Sequence, residues 1–161
     1  AAGQMQEAER RARVLWAADP TSSAAAMLLG DVLWARQDTA GAGDAYGRAA
    51  GLAPRDTSPL LALGNIALSG RAWDAAIEAF SVAVDRSPRD AAALHKLAAA
   101  LLCRAGATTE SGNRPARAAD LRAAVRFARA AVRFDSADAG FRDTEARARE
   151  MAGRFGVSLD R

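Results

Sequence analysis

Cysteine, histidine, lysine and tyrosine each occur once in this chain, as Cys103, His95, Lys96 and Tyr46. A lone cysteine excludes an intrachain disulfide and a cysteine zinc cluster. It permits a reducing compartment, so a cytoplasmic setting stands slightly ahead of a periplasmic one. One histidine, no phosphate-binding glycine loop and no serine at a strand-to-helix elbow leave no catalytic constellation. The acidic residues are scattered rather than paired. The expectation is a protein that is not an enzyme, with no metal and no cofactor. No apolar run approaches the ~18 residues that would span a bilayer. The opening residues AAGQMQEAERR lack both an initiator methionine and the apolar stretch of a signal peptide, and read as a cut made by cloning or processing. Net charge is also small: 22 basic against 19 acidic residues give +3, and the pI near 9.9 reflects arginine. So mild a balance disfavours nucleic acid as a partner.

What the chain does have is repetition. Pro20, Pro54 and Pro88 stand 34 residues apart. Leu29, Leu63 and Leu97 keep that step, as do Gly30 and Gly64, Tyr46 and Phe80, and Ala26, Leu60 and Leu94. A fixed period of tens of residues marks one small unit stacked on itself. Helical periodicity fills the unit. In the central copy, Thr57-Ser58-Pro59 opens a helix with a hydroxyl cap and an early proline. Its apolar face carries Leu60, Leu63, Gly64 and Ala67, and Ser69-Gly70 closes it. A second helix runs from about Trp73 to Arg86, with Ala76, Ile77, Phe80, Ala83 and Val84 on one side. Ser87-Pro88 ends it, because the residue before proline resists helical geometry.

These residues carry a resemblance. Paired helices at a 34-residue step, Leu29-Gly30 and Leu63-Gly64 in the first helix, small Ala42 and Ala76, aromatic Tyr46 and Phe80, then Ala49 and Ala83 and a closing proline resemble the tetratricopeptide repeat of bacterial-type proteins. The likeness spans about residues 7–138. It implies an all-α fold, an antiparallel helix-pair solenoid with a right-handed superhelix and a C-terminal capping helix. The single domain over 1–161 would comprise the second helix of a partial upstream repeat (4–19), repeats at 22–54 and 57–88, a repeat at 91–136, and the capping helix at 137–153. The third of those repeats departs from the pattern. Ala98 replaces the glycine, and AGATTESGNRP reads as an inserted loop over 105–115. Aligning Ala131 and Ser136 with Ala83 and Pro88 makes the step 48 rather than 34, so 14 residues are extra and the proline is lost. Residues 154–161 are expected to fray.

In such arrays the first helix of each pair lines a concave groove. Opposite the core stripe lie Met27, Asp31 and Trp34, then Leu61, Asn65 and Leu68, then His95, Ala99 and Leu102. This stripe is apolar for solvent-facing surface, Trp34 has the shape of an anchor, and Asp31 and Asn65 suit a ligand's backbone. The same residues would equally serve by packing on the next helix or a loop. The groove reading makes the chain a non-catalytic scaffold that binds a peptide or helix of a partner protein. The family's carboxylate clamp does not fit, since Met27, Leu61 and His95 stand where cations are needed and only Asn65 and Lys96 match it. Two further expectations concern charge and assembly. Arg122, Arg126, Arg129 and Arg133 form a row that either grips phosphate or an acidic partner, or is ordinary solvated surface within reach of Glu110 or Asp120. An uncovered face at Val14, Leu15 and Trp16 would allow a homo-oligomer. Alternatives to the scaffold are a targeting or regulatory arm of a larger enzyme or assembly factor, and a self-assembling module.

Overall fold

The structure is a computed structural model describing residues 2–107 and 114–159. The expected contact partner Glu110, and most of the expected loop, lie outside the described residues. Among the described residues eight helices follow in order: α1 (Ala2–Ala18), α2 (Ser23–Ala35), α3 (Thr39–Leu52), α4 (Ser58–Ser69), α5 (Trp73–Arg86), α6 (Ala91–Ala107), α7 (Arg114–Phe134) and α8 (Ala139–Arg154). No strand occurs among the described residues. The insertion is narrower than 105–115, because α6 runs on through Ala107 and α7 begins at Arg114.

The proline beat is a set of identical joints. The N–H of Asp19 donates to the Leu15 carbonyl (3.1 Å), that of Ala53 to Ala49 (3.0 Å) and that of Ser87 to Ala83 (3.0 Å). Three residues on, Ser22 donates to Asp19 (3.2 Å), Asp56 to Ala53 (3.0 Å) and Asp90 to Ser87 (3.0 Å). Each proline therefore sits second in a turn, where its fixed φ is already correct. A fourth joint of the same kind falls at the 48-residue step: the Asp135 N–H donates to the Ala131 carbonyl at 2.9 Å, with Ser136 in the proline position. There the Asp135 carboxylate closes the turn itself, accepting from the N–H groups of Ala137 (3.1 Å) and Asp138 (3.3 Å). Polar caps follow the joints. Ser22 accepts from the Ala25 N–H (3.2 Å), Asp90 from Ala93 (3.1 Å) and Asp138 from Gly140 (2.7 Å) and Phe141 (3.2 Å).

A second recurring device closes helices. The Asp38 N–H reaches back to the Leu33 carbonyl and that of Ala72 to Ala67, both at 2.9 Å, with Gln37 and Arg71 left-handed at φ 64 and 57. Gly156, φ 63, ends α8 in the same way through the Val157 N–H on Ala152. This is a Schellman closure, which satisfies helix-end carbonyls through one left-handed residue. α4 ends at Ser69, and the left-handed residue after it is Arg71, one place beyond Gly70. At the next 34-residue step, Ala105 stays helical, which is why α6 outruns its counterparts.

The chain forms two compact units, the first through Ile66 and the second from Ala67 on. In the first, α2 packs between α1 and α3. Leu33, Ala42 and Tyr46 form its core, with Met27, Leu29, Ala62, Leu63 and Ile66 packed against them. Glycine at position 30 lets the Tyr46 ring approach, since a Cβ there would lie 2.5 Å from two ring carbons. The Tyr46 hydroxyl donates to the Asp31 carboxylate at 2.8 Å. Burial first, and that hydrogen bond second, raise its pKa. Buried Glu9 pairs with Arg13 at 2.6 Å and with Arg36, tying α1 to the end of α2.

Three glycines of α3 have another meaning. A Cβ at Gly43, Gly47 or Gly51 would meet nothing within 4 Å. Close packing therefore does not explain them, and each weakens the helix relative to alanine. The triple replacement Gly43→Ala, Gly47→Ala, Gly51→Ala is expected to stabilise the first unit by about 2 kcal/mol. Urea denaturation measures the change, and amide exchange around Tyr46 should slow. A stability equal to or below that of the unchanged protein would reject this account. Gly41 is unlike them, because a Cβ there would crowd one oxygen of the Asp38 carboxylate at 2.6 Å, while the other oxygen caps α3.

In the second unit α6 is central, touching α5, α7 and α8. Its alanines and leucines are buried on most sides: Ala93, Leu94, Leu97, Ala98, Ala100, Leu101, Leu102 and Ala105. Small residues admit neighbouring helices closely, and leucines fill the remaining space. Phe80 and Leu121 are the largest fully buried side chains of this unit. One guanidinium joins three of its helices. Arg104 of α6 donates to both oxygens of Asp120 on α7 (2.9 and 2.6 Å) and to Asp74 at the start of α5 (2.5 Å).

Candidate functional site

The stripe expected to line a groove meets three different surroundings. In the first unit, Trp34 is 38% exposed on α2, and Met27 is half-buried against the Leu33–Tyr46 core. Asp31 is exposed, but one of its oxygens already accepts from Tyr46, so it positions that ring as well as facing solvent. Leu61 and Asn65 on α4 are half-buried, as is Leu68 beyond the unit boundary. In the second unit the stripe is covered. Leu102 is a core residue, and the His95 ring lies against Phe141 of α8 with centroids 4.8 Å apart. His95 has its Nδ1 buried without a hydrogen-bond partner. Burial first and Lys96 second lower its pKa, and Asp138 opposes them. Cys103 is exposed. Its thiol is nevertheless pushed up by desolvation, with Arg147 pulling the other way.

The arginine row divides too. Arg122, Arg126 and Arg129 line a cleft of about 500 Å³ on α7 together with Val125 and Leu159. Arg133 is exposed but does not line it. Arg122 donates from Nε to the Ser158 carbonyl at 3.0 Å, and Arg129 stands 3.7 Å from Glu145 of α8. Asp120 is not their partner, because Arg104 holds it. The tail after α8 is therefore not frayed as far as Leu159. Beyond the Gly156 turn it is tied to α7 by Arg122, and the Arg117 guanidinium covers the Phe155 ring at 4.5 Å.

At the other end, Val14 and Leu15 are 61% and 51% exposed, whereas Trp16 is half-buried with Arg48 over its ring at 5.8 Å. Beside them Glu7 is bridged by Arg10 and Arg11, whose hydrogen bonds hold its carboxyl down to about 2. Among the described residues no cluster of His, Cys, Asp and Glu could hold a metal ion. No described helix is long and apolar enough to cross a membrane.

Sequence reasoning missed the Asp74–Arg104–Asp120 tie and the cleft's tail wall. Both join residues far apart in sequence, at separations that carry no periodic signal. The Schellman closures did carry one, since Gln37 and Arg71 stand one 34-residue period apart, but neither is the glycine that usually marks such a turn.

No protein-family model matches the sequence, and no curated protein matches it. Solved structures do match. TTC0263, a thermophilic tetratricopeptide-repeat protein of Thermus thermophilus, superposes with a TM-score of 0.68 at 20% identity over 82% of this chain. This chain spans 66% of that protein's length. MamA of Desulfovibrio magneticus RS-1, from residue 41 to its end, gives a TM-score of 0.67 at 16% identity, covering 96% of this chain and 85% of that one. At such identities the likeness speaks for the fold. Helix pairs, the Gly30–Tyr46 contact and the proline joints speak for the same architecture from within the chain. Its fold is that of the tetratricopeptide repeat.

Proposed function

We propose that this protein is a non-catalytic scaffold for protein–protein interaction, binding a peptide or helix of a partner on the α2–α4 face of its first unit. The observation that carries the reading is Trp34, a large aromatic left 38% exposed on α2. An indole brings a large apolar area at small entropic cost, which is why tryptophan is enriched among binding anchors. Half-buried Met27 and Leu61 extend the apolar surface, and Asp31 and Asn65 supply polar groups that would set the register of a bound backbone. The solved tetratricopeptide-repeat structures support the scaffold class and leave its ligand open.

Capture from a cell extract on the full chain, followed by mass spectrometry, identifies the partner. Affinity for that partner is then measured with Trp34→Ala and Leu61→Asp. Each is expected to weaken binding by at least about tenfold, the size of a modest hot spot. The helical circular dichroism signal should stay unchanged. Unchanged affinity in both variants would overturn the α2–α4 face as the binding surface.

A further inference from the structure

The cleft on α7 is a second site, on a different unit and with different chemistry from the Trp34 face. Arg122, Arg126 and Arg129 stand at steps of four and three, which places their guanidinium groups along one side of the helix. Among the described residues no carboxylate lines it; Val125, Leu159 and alanines make up the remainder. Glu145, the acid that Arg129 approaches, is already held by Arg149 at 2.6 Å and stands farther from Arg129, at 3.7 Å. Arg126 lies over the face of neighbouring Phe127, at 4.9 Å. Among the described residues the lining sets three cations over an apolar floor and holds no acid of its own.

The chain's own tail shows what the cleft accepts. Its backbone runs alongside α7, the Ser158 carbonyl oxygen takes the Arg122 Nε–H, and Leu159 forms part of the wall. Peptide thus meets the site with a carbonyl on a guanidinium and an aliphatic side chain in the wall that Val125 shares. Among the described tail residues, neither Ser158 nor Leu159 offers an acid to Arg126 or Arg129. We propose that this cleft binds an extended acidic segment of a partner protein, with carboxylates on Arg126 and Arg129 and an aliphatic residue between them. Planar guanidinium groups match carboxylates through paired hydrogen bonds, and a floor of methyl groups lowers the dielectric around them. The same floor disfavours a nucleic-acid strand, which would present sugars and a continuous phosphate chain to it.

The test uses the full chain and a fluorescein-labelled peptide of alternating leucine and glutamate, read by fluorescence anisotropy. Two comparison probes are the same peptide with glutamine for glutamate and a single-stranded oligonucleotide of equal charge. Saturable binding of the glutamate peptide is expected, weakening as salt rises. The double variant Arg126→Ala, Arg129→Ala should lose about tenfold in affinity, as expected when charge-assisted hydrogen bonds are removed. Both side chains are exposed, so the variant should keep its helical content. Trp34→Ala should bind this peptide normally, which separates failure of this site from failure of the α2–α4 face. The proposal is overturned if the glutamate peptide does not bind, if the glutamine peptide or the oligonucleotide binds more tightly, or if the double variant binds unchanged.

Discussion

Replacing Gly30 by alanine should destabilise the protein by about 2 kcal/mol, against the usual direction of glycine-to-alanine changes inside a helix. The added methyl would stand 2.5 Å from Cδ1 and Cε1 of Tyr46. That ring is 3% exposed and pinned at its far end by the hydrogen bond to Asp31, so it has no free direction in which to yield. Moving it breaks a partly buried hydrogen bond and loosens the contact with Leu33 and Ala42. A pairwise test isolates the cause. Tyr46→Ala alone should cost about 3–5 kcal/mol, as for other buried aromatic truncations. In that background Gly30→Ala should reverse sign and stabilise by about 1 kcal/mol, because only helix propensity remains. Urea unfolding of the four proteins gives the cycle. Additive effects would mean that Gly30 is not there to admit the ring.

The second large effect concerns Arg104. Arg104→Met should destabilise by about 3 kcal/mol, the usual result of stripping a buried carboxylate of its cation. The reason lies with Asp120, whose side chain is only 11% exposed and has both oxygens on that one guanidinium. The arginine is correspondingly held more firmly protonated, through the hydrogen bond to Asp120 first. Asp74 is 87% exposed, so Asp74→Ala should change stability by no more than about 1 kcal/mol despite an equally short contact. Replacing Arg104 and Asp120 together by methionine and leucine should recover most of the loss, since the desolvation of both charges then disappears. Equal losses for Arg104→Met and Asp74→Ala in thermal or urea unfolding would reject this ranking.

Legibility in the sequence followed the range of the interactions. Pro54 and Pro88 announce their joints because a turn fixes which residues suit it, and the step to Ala131 and Ser136 locates the 14-residue excess. Leu33, Ala42 and Tyr46 read as core because helical spacing and repetition agreed. The surface was harder. A helical wheel placed Leu102 and His95 on the same stripe as Trp34, but a wheel contains one helix and its ideal neighbours. It carries no information about α8, whose Phe141 lies on His95. The arginine row was visible as spacing, yet the cleft needed the backbone of Ser158 to come back onto α7. Arg104 and Asp120 sit 16 residues apart on two helices, and nothing in their types distinguishes them from other surface charges.

The bond between Arg104 and Asp120 also bears on how this fold can be varied. It fastens α6 to α7 close to the ends that the extra residues connect. Because the tie runs from side chain to side chain, it does not depend on the covalent link between the two helices. A copy of the chain cut between α6 and α7 should therefore keep the two pieces associated through Arg104 and Asp120.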